Sequence, residues 1–268
     1  MEVWRSRPLR RRPIRRRNHN QPGRAYSMQS GLYVALSGQV ALERRLQTIA
    51  SNVANMNTPG YRADGVSFEA QLAKTGDVTV AFAGGGAGYI SRRAGGLGKT
   101  GDPLDVAIRG DGFLGVKTPG GTVYTRDGRM TIQESGELTT LNGYPVLDAG
   151  GAPILLDAGA GAPDIAGDGM ISQKGVQVGA LGLFAIDDGA GLTRYDNSGV
   201  IPDRPATPIL DFGANGVEQG FLEGSNVNPI MEMTKLIAVT RAFDGINAAT
   251  EKSESSLTDA IKTLGSSS

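Results

Sequence analysis

Phosphate-binding loops end in Gly-Lys-Ser/Thr, and the stretch RAGGLGKT at residues 93–100 carries that ending at Gly98-Lys99-Thr100. The full motif needs a glycine five residues before Gly98 and a helix whose N-terminus faces the phosphates. Arg93 stands at the first place and Pro103 interrupts the second, so nucleotide binding is not expected. Carboxylates are plentiful at Asp102, Asp105, Asp111, Asp127, Asp148, Asp187 and Asp188. A glycoside hydrolase needs two of them held together on a rigid frame. Most of these sit beside Gly or Pro, where Asp is an ordinary turn residue. His19 is the only histidine and there is no cysteine. A Ser-His-Asp triad therefore has no base in the body of the chain, thiolate chemistry is excluded, and zinc would need an all-carboxylate site. No calcium loop of the D-x-[DN]-x-[DN]-G form occurs. The residue types predict no catalytic centre, metal site, cofactor or small-molecule substrate.

Charge is unevenly placed. Residues 1–27 carry nine arginines and one acid, Glu2. Taking these from the 27 bases and 27 acids of the chain leaves 18 against 26, a net −8 from Met28 onward. The Arg-rich extension also holds Pro8, Pro13 and Pro22 and lacks an apolar period, so disorder is expected there. It reads either as an arm for phosphates or another anionic surface, or as an upstream artefact of translation, with Met28 the true start. A nucleic-acid-binding role rests on that arm alone and is the weaker reading of the whole chain. No apolar run approaches the roughly 20 residues of a membrane span. The Arg-rich start is followed by Asn, Gln and Pro, not by the apolar core of a cleavable secretory signal.

Any job must therefore lie in the larger elements. Leu32, Ala35, Gln39, Leu42, Leu46, Ile49, Val53 and Met56 recur at alternating spacings of three and four. That is a heptad seam on one long helix. It runs into ASNVANMNTPGYR, residues 50–62, where Asn52, Asn55 and Asn57 precede Thr58-Pro59-Gly60-Tyr61. Pro59 disfavours helical geometry at Thr58, and Pro-Gly meets the needs of a type II turn. The asparagine side chains suit a place where backbone groups lose their helical partners. This junction predicts a chain turned sharply out of its helix.

Beyond it the pattern is that of consecutive hairpins. Phe113 to Lys117, Val123 to Arg126, Met130 to Gln133 and Leu138 to Thr140 are separated by Pro119-Gly120-Gly121, Asp127-Gly128 and Ser135-Gly136, with Asn142-Gly143 after the last. Further strands are expected at Ile154 to Leu156, Gly182 to Ile186 and Ile209 to Phe212. A second long helix begins at Asn228-Pro229, an N-cap followed by proline at the first helical position. Its seam runs through Leu236, Val239, Phe243, Ile246, Thr250, Ser253, Leu257, Ala260 and Leu264, and Gly265 closes it. The expected divisions are an extension at 1–27, an assembly helix and junction at 28–73, a β-rich domain at 74–220 and a second assembly helix at 221–268. The expected fold class is α+β, with the two helices forming a coiled-coil-like stalk.

Four blocks in order carry a family resemblance: SGLYVALSGQ, ASNVANMNTPGYR, TGDPLDVAIRGDGFLGV with YTRDGRMTI, and LEGSNVNPIMEMTKLIAVTRAF. The chain resembles the axial rod and hook proteins of the bacterial flagellum. Pro103-Leu104-Asp105-Val106-Ala107, Leu222-Glu223-Gly224-Ser225-Asn226 and Arg241-Ala242-Phe243-Asp244 look most like the proximal-rod type, with the distal-rod type as the alternative. The resemblance implies a structural subunit of a hollow helical shaft crossing the periplasm, its terminal helices lining the tube and its β domain outside. It implies as partners further copies of the chain, other proximal- and distal-rod proteins and the flagellar type III export apparatus, with export that needs no cleavable signal. The assembly seam would consist of Leu32, Leu42, Leu46, Ile49, Val53, Met56, Leu236, Val239, Phe243, Ile246, Leu257 and Leu264. The junction motif would set the angle between the two layers.

Overall fold

A computed structural model describes residues 23–68, 70–75 and 78–265. Most of the Arg-rich extension thus lies outside the described residues. Two helices flank a β-rich body. Helix α1 (Gly23–Ala54) leads into β1 (Asp64–Ser67), β2 (Ala70–Thr75), β3 (Val78–Ala83), β4 (Ala87–Ile90), β5 (Leu97–Lys99) and β6 (Val106–Arg109). Then come β7 (Phe113–Thr118), β8 (Gly121–Thr125), β9 (Met130–Ile132), β10 (Leu138–Thr140), β11 (Asp164–Ile165), β12 (Met170–Gln173) and β13 (Val176–Ala180). The last strands are β14 (Leu183–Ala185), β15 (Leu192–Tyr195), β16 (Gly199–Pro202), β17 (Thr207–Pro208), β18 (Gly216–Gln219) and β19 (Phe221–Glu223), before α2 (Pro229–Gly265).

The largest sheet has six strands in the order β15-β16-β8-β7-β14-β17, and every pair in it is antiparallel. Strand β7 lies inside it, and its alternating side chains serve two cores, as the period of two in a strand dictates. Leu114 and Val116 join Val106, Val123, Leu138, Val146, Ile171 and Leu183 in the larger apolar cluster. Phe113 joins Ile90, Ile186, Ala190 and Val200 in the smaller one. The two sheets β18-β6 and β19-β5 run side by side and bring the end of the body back beside residues 97–109.

Hairpins form at β7–β8 and at β9–β10, with turns at Pro119-Gly120 and Ser135-Gly136. They do not continue into one meander, because β8 takes β16 as its second neighbour, some 75 residues away in sequence. Ile154 to Leu156 makes only an isolated bridge, Glu137 to Leu155, and Ile209 to Phe212 follows β17 without forming a strand. Short apolar runs need a partner edge to become strands, and these runs lie beside chain that is paired elsewhere.

The expected α+β fold with a coiled-coil-like stalk is not what forms. The chain is mainly β, with one helix at each end. The helices run antiparallel and touch, with Gln39 Nε2 donating to Asn247 Oδ1 at 2.9 Å. However, a groove of about 520 Å³ opens between them, lined by Leu36, Val40, Leu42, Leu46, Val239 and Phe243 among others. Of the seam, Ile49 and Val239 are buried, whereas Leu46, Phe243 and Leu264 are exposed. Small and polar seam positions explain the failure to zip: Ala35, Gln39, Thr250 and Ser253 remove too little apolar surface from water to close two helices on each other.

Candidate functional site

Both helices meet the body in a densely bonded junction. Asn52, in the last turn of α1, is buried. Its Oδ1 accepts from the Asp64 amide at 2.8 Å and from the Tyr61 hydroxyl at 3.2 Å, while its Nδ2 donates to the Asp64 carbonyl at 2.9 Å. One asparagine thus fastens the helix end to the first strand. Asn55 Nδ2 donates to the Ser51 carbonyl at 3.0 Å, and the Thr58 hydroxyl donates to Asn55 Oδ1 at 3.1 Å. The Tyr61 amide then donates to the Thr58 carbonyl at 3.2 Å, closing a turn with Pro59 and Gly60 at its centre. Gly60 has φ +69°, the value a type II turn requires there. A β-carbon at Gly60 would lie 2.2 Å from the Asp127 amide nitrogen, so the turn also presses its backbone onto the loop after β8. Asn57, by contrast, is exposed.

Tyr61 fills the space beneath this turn. It is 1% exposed, and the Arg194 guanidinium lies 4.4 Å from its ring centre while pairing with Asp64. Burial raises the Tyr61 phenol above its usual range, against the hydrogen bond from Ser51. At neutral pH it is a neutral donor, as its bond to Asn52 requires.

The next residue enters a buried ion cluster. Arg62 lies 3.0 Å from Glu223 Oε1, and Arg126 lies 2.9 Å from Glu223 Oε2. All three side chains are at most 3% exposed. The Phe113 ring sits against both guanidinium groups, at 5.9 Å and 5.1 Å from ring centre to carbon. Glu223 Oε1 also accepts from the Gly95 amide at 2.9 Å, and the Glu223 carbonyl accepts from the Gly60 amide at 2.7 Å. Arg126 donates to the carbonyls of Ile108 and Gly110, and Arg62 to that of Arg92. Two cations share one carboxylate in a low-dielectric space. Loss of solvation lowers the Arg62 pKa to about 10, Glu223 opposing the shift and Arg126 adding to it; Arg126 is lowered from the same principal cause. Both remain charged at neutral pH.

The cluster joins both helix roots through the body: Arg62 follows α1, Arg126 follows β8, and Glu223 ends β19, six residues before α2. Asn226 adds a second tie, its Oδ1 accepting from the Ala63 amide at 2.7 Å and its Nδ2 donating to Ser91 and Arg93. Asn228 caps α2, its Oδ1 accepting from the Met231 amide at 3.2 Å. Sequence reasoning placed Asn52, Asn55, Thr58, Pro59, Gly60 and Tyr61 at this junction but missed Arg62, Arg126 and Glu223. The only signal was that each sits inside a block carrying the resemblance; a pairing across 97 residues leaves no local trace.

The other seam residues are dispersed along the helices. Leu42, Val53, Met56, Leu236 and Ile246 are half-buried, and the side chains of Leu32 and Leu257 lie outside the described residues. The tempting chemical residues have structural employment. RAGGLGKT forms β5, whose partner is β19, and Gly95 lies so close to Gly224 that a β-carbon would stand 1.9 Å from its carbonyl oxygen. Asp127 holds Arg129 through both carboxylate oxygens, at 2.9 and 2.6 Å. Asp102, Asp148 and Asp187 accept amides of their own turns.

A closed β body fastened to two partly bare terminal helices defines a structural assembly subunit. Comparison with known proteins gives that class a family. Residues 32–62 match the model for the flagella basal body rod protein, residues 107–173 that for the flagellar hook protein FlgE/F/G D1 domain, and residues 218–251 that for the flagellar basal body rod FlgEFG protein C-terminal. The flagellar basal-body rod protein FlgF of Mesorhizobium japonicum is 52% identical, across 90% of this chain and 100% of that protein. FlgF of Rhizobium meliloti is also 52% identical over the same shares, whereas FlgG of Bacillus subtilis is 33% identical over 81% of this chain and 92% of its own. The chain belongs to the flagellar basal-body rod protein family, on its FlgF branch. It is a structural protein of the flagellar basal body, not an enzyme.

Proposed function

We propose that this chain is a proximal-rod subunit that polymerises through α1 and α2 into a hollow helical shaft, with the β body forming the outer layer. The observation that carries this reading is the contrast in burial: the body builds two enclosed apolar clusters, although Leu155, Val176 and Leu210 stay exposed on it, while among the described helix side chains only the apolar Ile49 and Val239 are buried and a groove stays open between the helices. At 1.5 Å per residue the helices are about 48 and 55 Å long, more than one body of this size covers. Contacts between neighbouring copies supply the missing cover. Full burial of one apolar side chain stabilises by about 1.5–3 kcal/mol, whereas association costs about 4–15 kcal/mol. Several such contacts per copy are needed, which an array provides and a lone pair does not. The partners are other copies and neighbouring proximal- and distal-rod proteins, and the route outward is the flagellar type III export apparatus, without a cleaved signal.

Within this scheme the junction from Asn52 to Tyr61 fixes the angle at which the tube-lining helix leaves the outer layer. Replacing Pro59→Ala together with Gly60→Val is expected to permit export and block rod completion. Normal swimming by cells carrying that pair would sink the assignment of the junction. Mass spectrometry of purified hook-basal bodies tests the function itself. The chain is expected there, with its N-terminal peptide beginning at or just after Met28; absence from the particles would overturn the rod reading.

A further inference from the structure

We propose that a cleft between the six-stranded sheet and the loop after β10 is a binding site for an uncharged pyranose ring of a glycan. No residue of either helix lines it. Its floor is formed by Val116 of β7, Val123 of β8 and Gly199 at the start of β16. A β-carbon at Gly199 would stand 2.7 Å from Val123 Cγ1, so the glycine keeps that floor open. One wall is the loop after β10, with Asn142 and Tyr144; the other is the end of β15 and its turn, with Tyr195, Asp196 and Asn197.

The two walls are pinned to each other. Asn142 Nδ2 donates to Asp196 Oδ2 at 2.8 Å, across 54 residues of sequence. The rings of Tyr144 and Tyr195 meet edge to face, with 6.3 Å between centres. Asp196 holds φ +52°, one of two non-glycine positions in the left-handed region among the described residues. Such positions are costly and gather at ligand clamps. Here that residue carries the carboxylate that closes the bond to Asn142, so the cleft is shaped before any ligand arrives.

The lining selects the class of ligand. Asp127 holds Arg129 through both carboxylate oxygens, which neutralises the cation of the cleft, and Asp196 adds a negative charge. A phosphate or other anion is therefore disfavoured. What remain are groups that donate and accept at close quarters. Asn142 Oδ1 and the Asn197 amide have no hydrogen-bond partner among the described residues, and the hydroxyls of Thr125 and Ser198 lie 3.2 Å apart. Adjacent sugar hydroxyls match such a set, and the C–H face of a pyranose suits the negative face of a tyrosine ring. The size agrees. The cleft holds about 70 Å³, room for roughly five to seven waters at about 10–15 Å³ for each, the space of one sugar ring with its hydroxyls. A single ring binds weakly, with a Kd on the order of 1 mM. Under the rod-subunit reading, one cleft on every copy of an array multiplies that affinity for a polymer; binding to one free copy does not depend on that reading.

The test is a titration of the purified, isotope-labelled full chain with chitotriose, cellotriose and maltotriose, followed by amide NMR. At least one of the three is expected to shift the amides of residues 140–144 and 195–199 saturably, at about 1 mM, while inorganic phosphate and arginine methyl ester leave them in place. Tyr144→Leu is expected to weaken binding about tenfold. Asn197→Ala removes an exposed side chain, spares the apolar clusters and is expected to weaken it severalfold with amides elsewhere unmoved, so it decides the matter should Tyr144→Leu fail to fold. No shift with any of the three sugars, shifts confined to other residues, or unchanged affinity in Asn197→Ala would overturn the site. Saturable shifts from phosphate or the arginine ester in place of the sugars would overturn it too, in favour of a charged ligand.

Discussion

The β body and the helical pair solve the same problem to different degrees. In the body, Val106, Leu138, Val146, Ile171 and Leu183 are at most 0% exposed, and the ions Arg62, Arg126 and Glu223 are enclosed with partners. In the helices, side chains as large as Ile230 and Leu36 stand in water. The difference teaches that one copy builds enclosed apolar clusters between its sheets but none between its helices, even though Leu155, Val176 and Leu210 of the body are exposed too. Stability and assembly are therefore properties of different residues, and substitutions should separate them.

The largest effect on stability is expected at the buried ions. Glu223→Gln leaves two guanidinium groups without their carboxylate, and removing one partner of a buried pair costs about 3–5 kcal/mol. Denaturant unfolding of the purified chain measures it; a loss near zero would show that the two guanidinium groups do not depend on this carboxylate. Next comes Gly60→Val, which combines an unfavourable positive φ, at about 1–3 kcal/mol, with a collision against the Asp127 amide. Its loss of thermal stability should exceed that of Pro59→Ala, and equal losses would mean that the turn is not pressed onto the loop after β8. Asn228→Ala removes the cap of α2 and should cost about 1 kcal/mol, read as lost helical circular dichroism with the body's unfolding midpoint unchanged. A shift of that midpoint would tie α2 to the body more closely than its exposed faces indicate. Smallest is Ile237→Ser, expected within about 0.5 kcal/mol of wild type yet defective in rod assembly and swimming. Full motility would break the division between the two regions.

How far this was legible in the sequence follows the same division. The turn at Thr58–Tyr61 and the cap at Asn228 were readable because proline, glycine and asparagine act on their immediate neighbours. The hairpin β7–β8 was readable for the same reason. The pairing of β8 with β16, and of Arg126 with Glu223, was not, since nothing local distinguishes an arginine that will be buried from one in solvent. The heptad seams were visible as periodicity, but spacing gives which face is apolar and not what covers it. The expected coiled-coil-like stalk fails on that second point: Leu46 and Phe243 are exposed beside the groove between the helices.

The double use of Glu223 has a mechanical consequence. Its carbonyl holds the Gly60 amide and its carboxylate holds Arg62, so the strand leading to α2 grips the chain leaving α1 at two adjacent points. A pull or twist on either helix therefore passes to the other across this clamp, in shear, before it can peel strands from the sheet. Load between the two helices passes through this junction, and the six-stranded sheet is spared the strain.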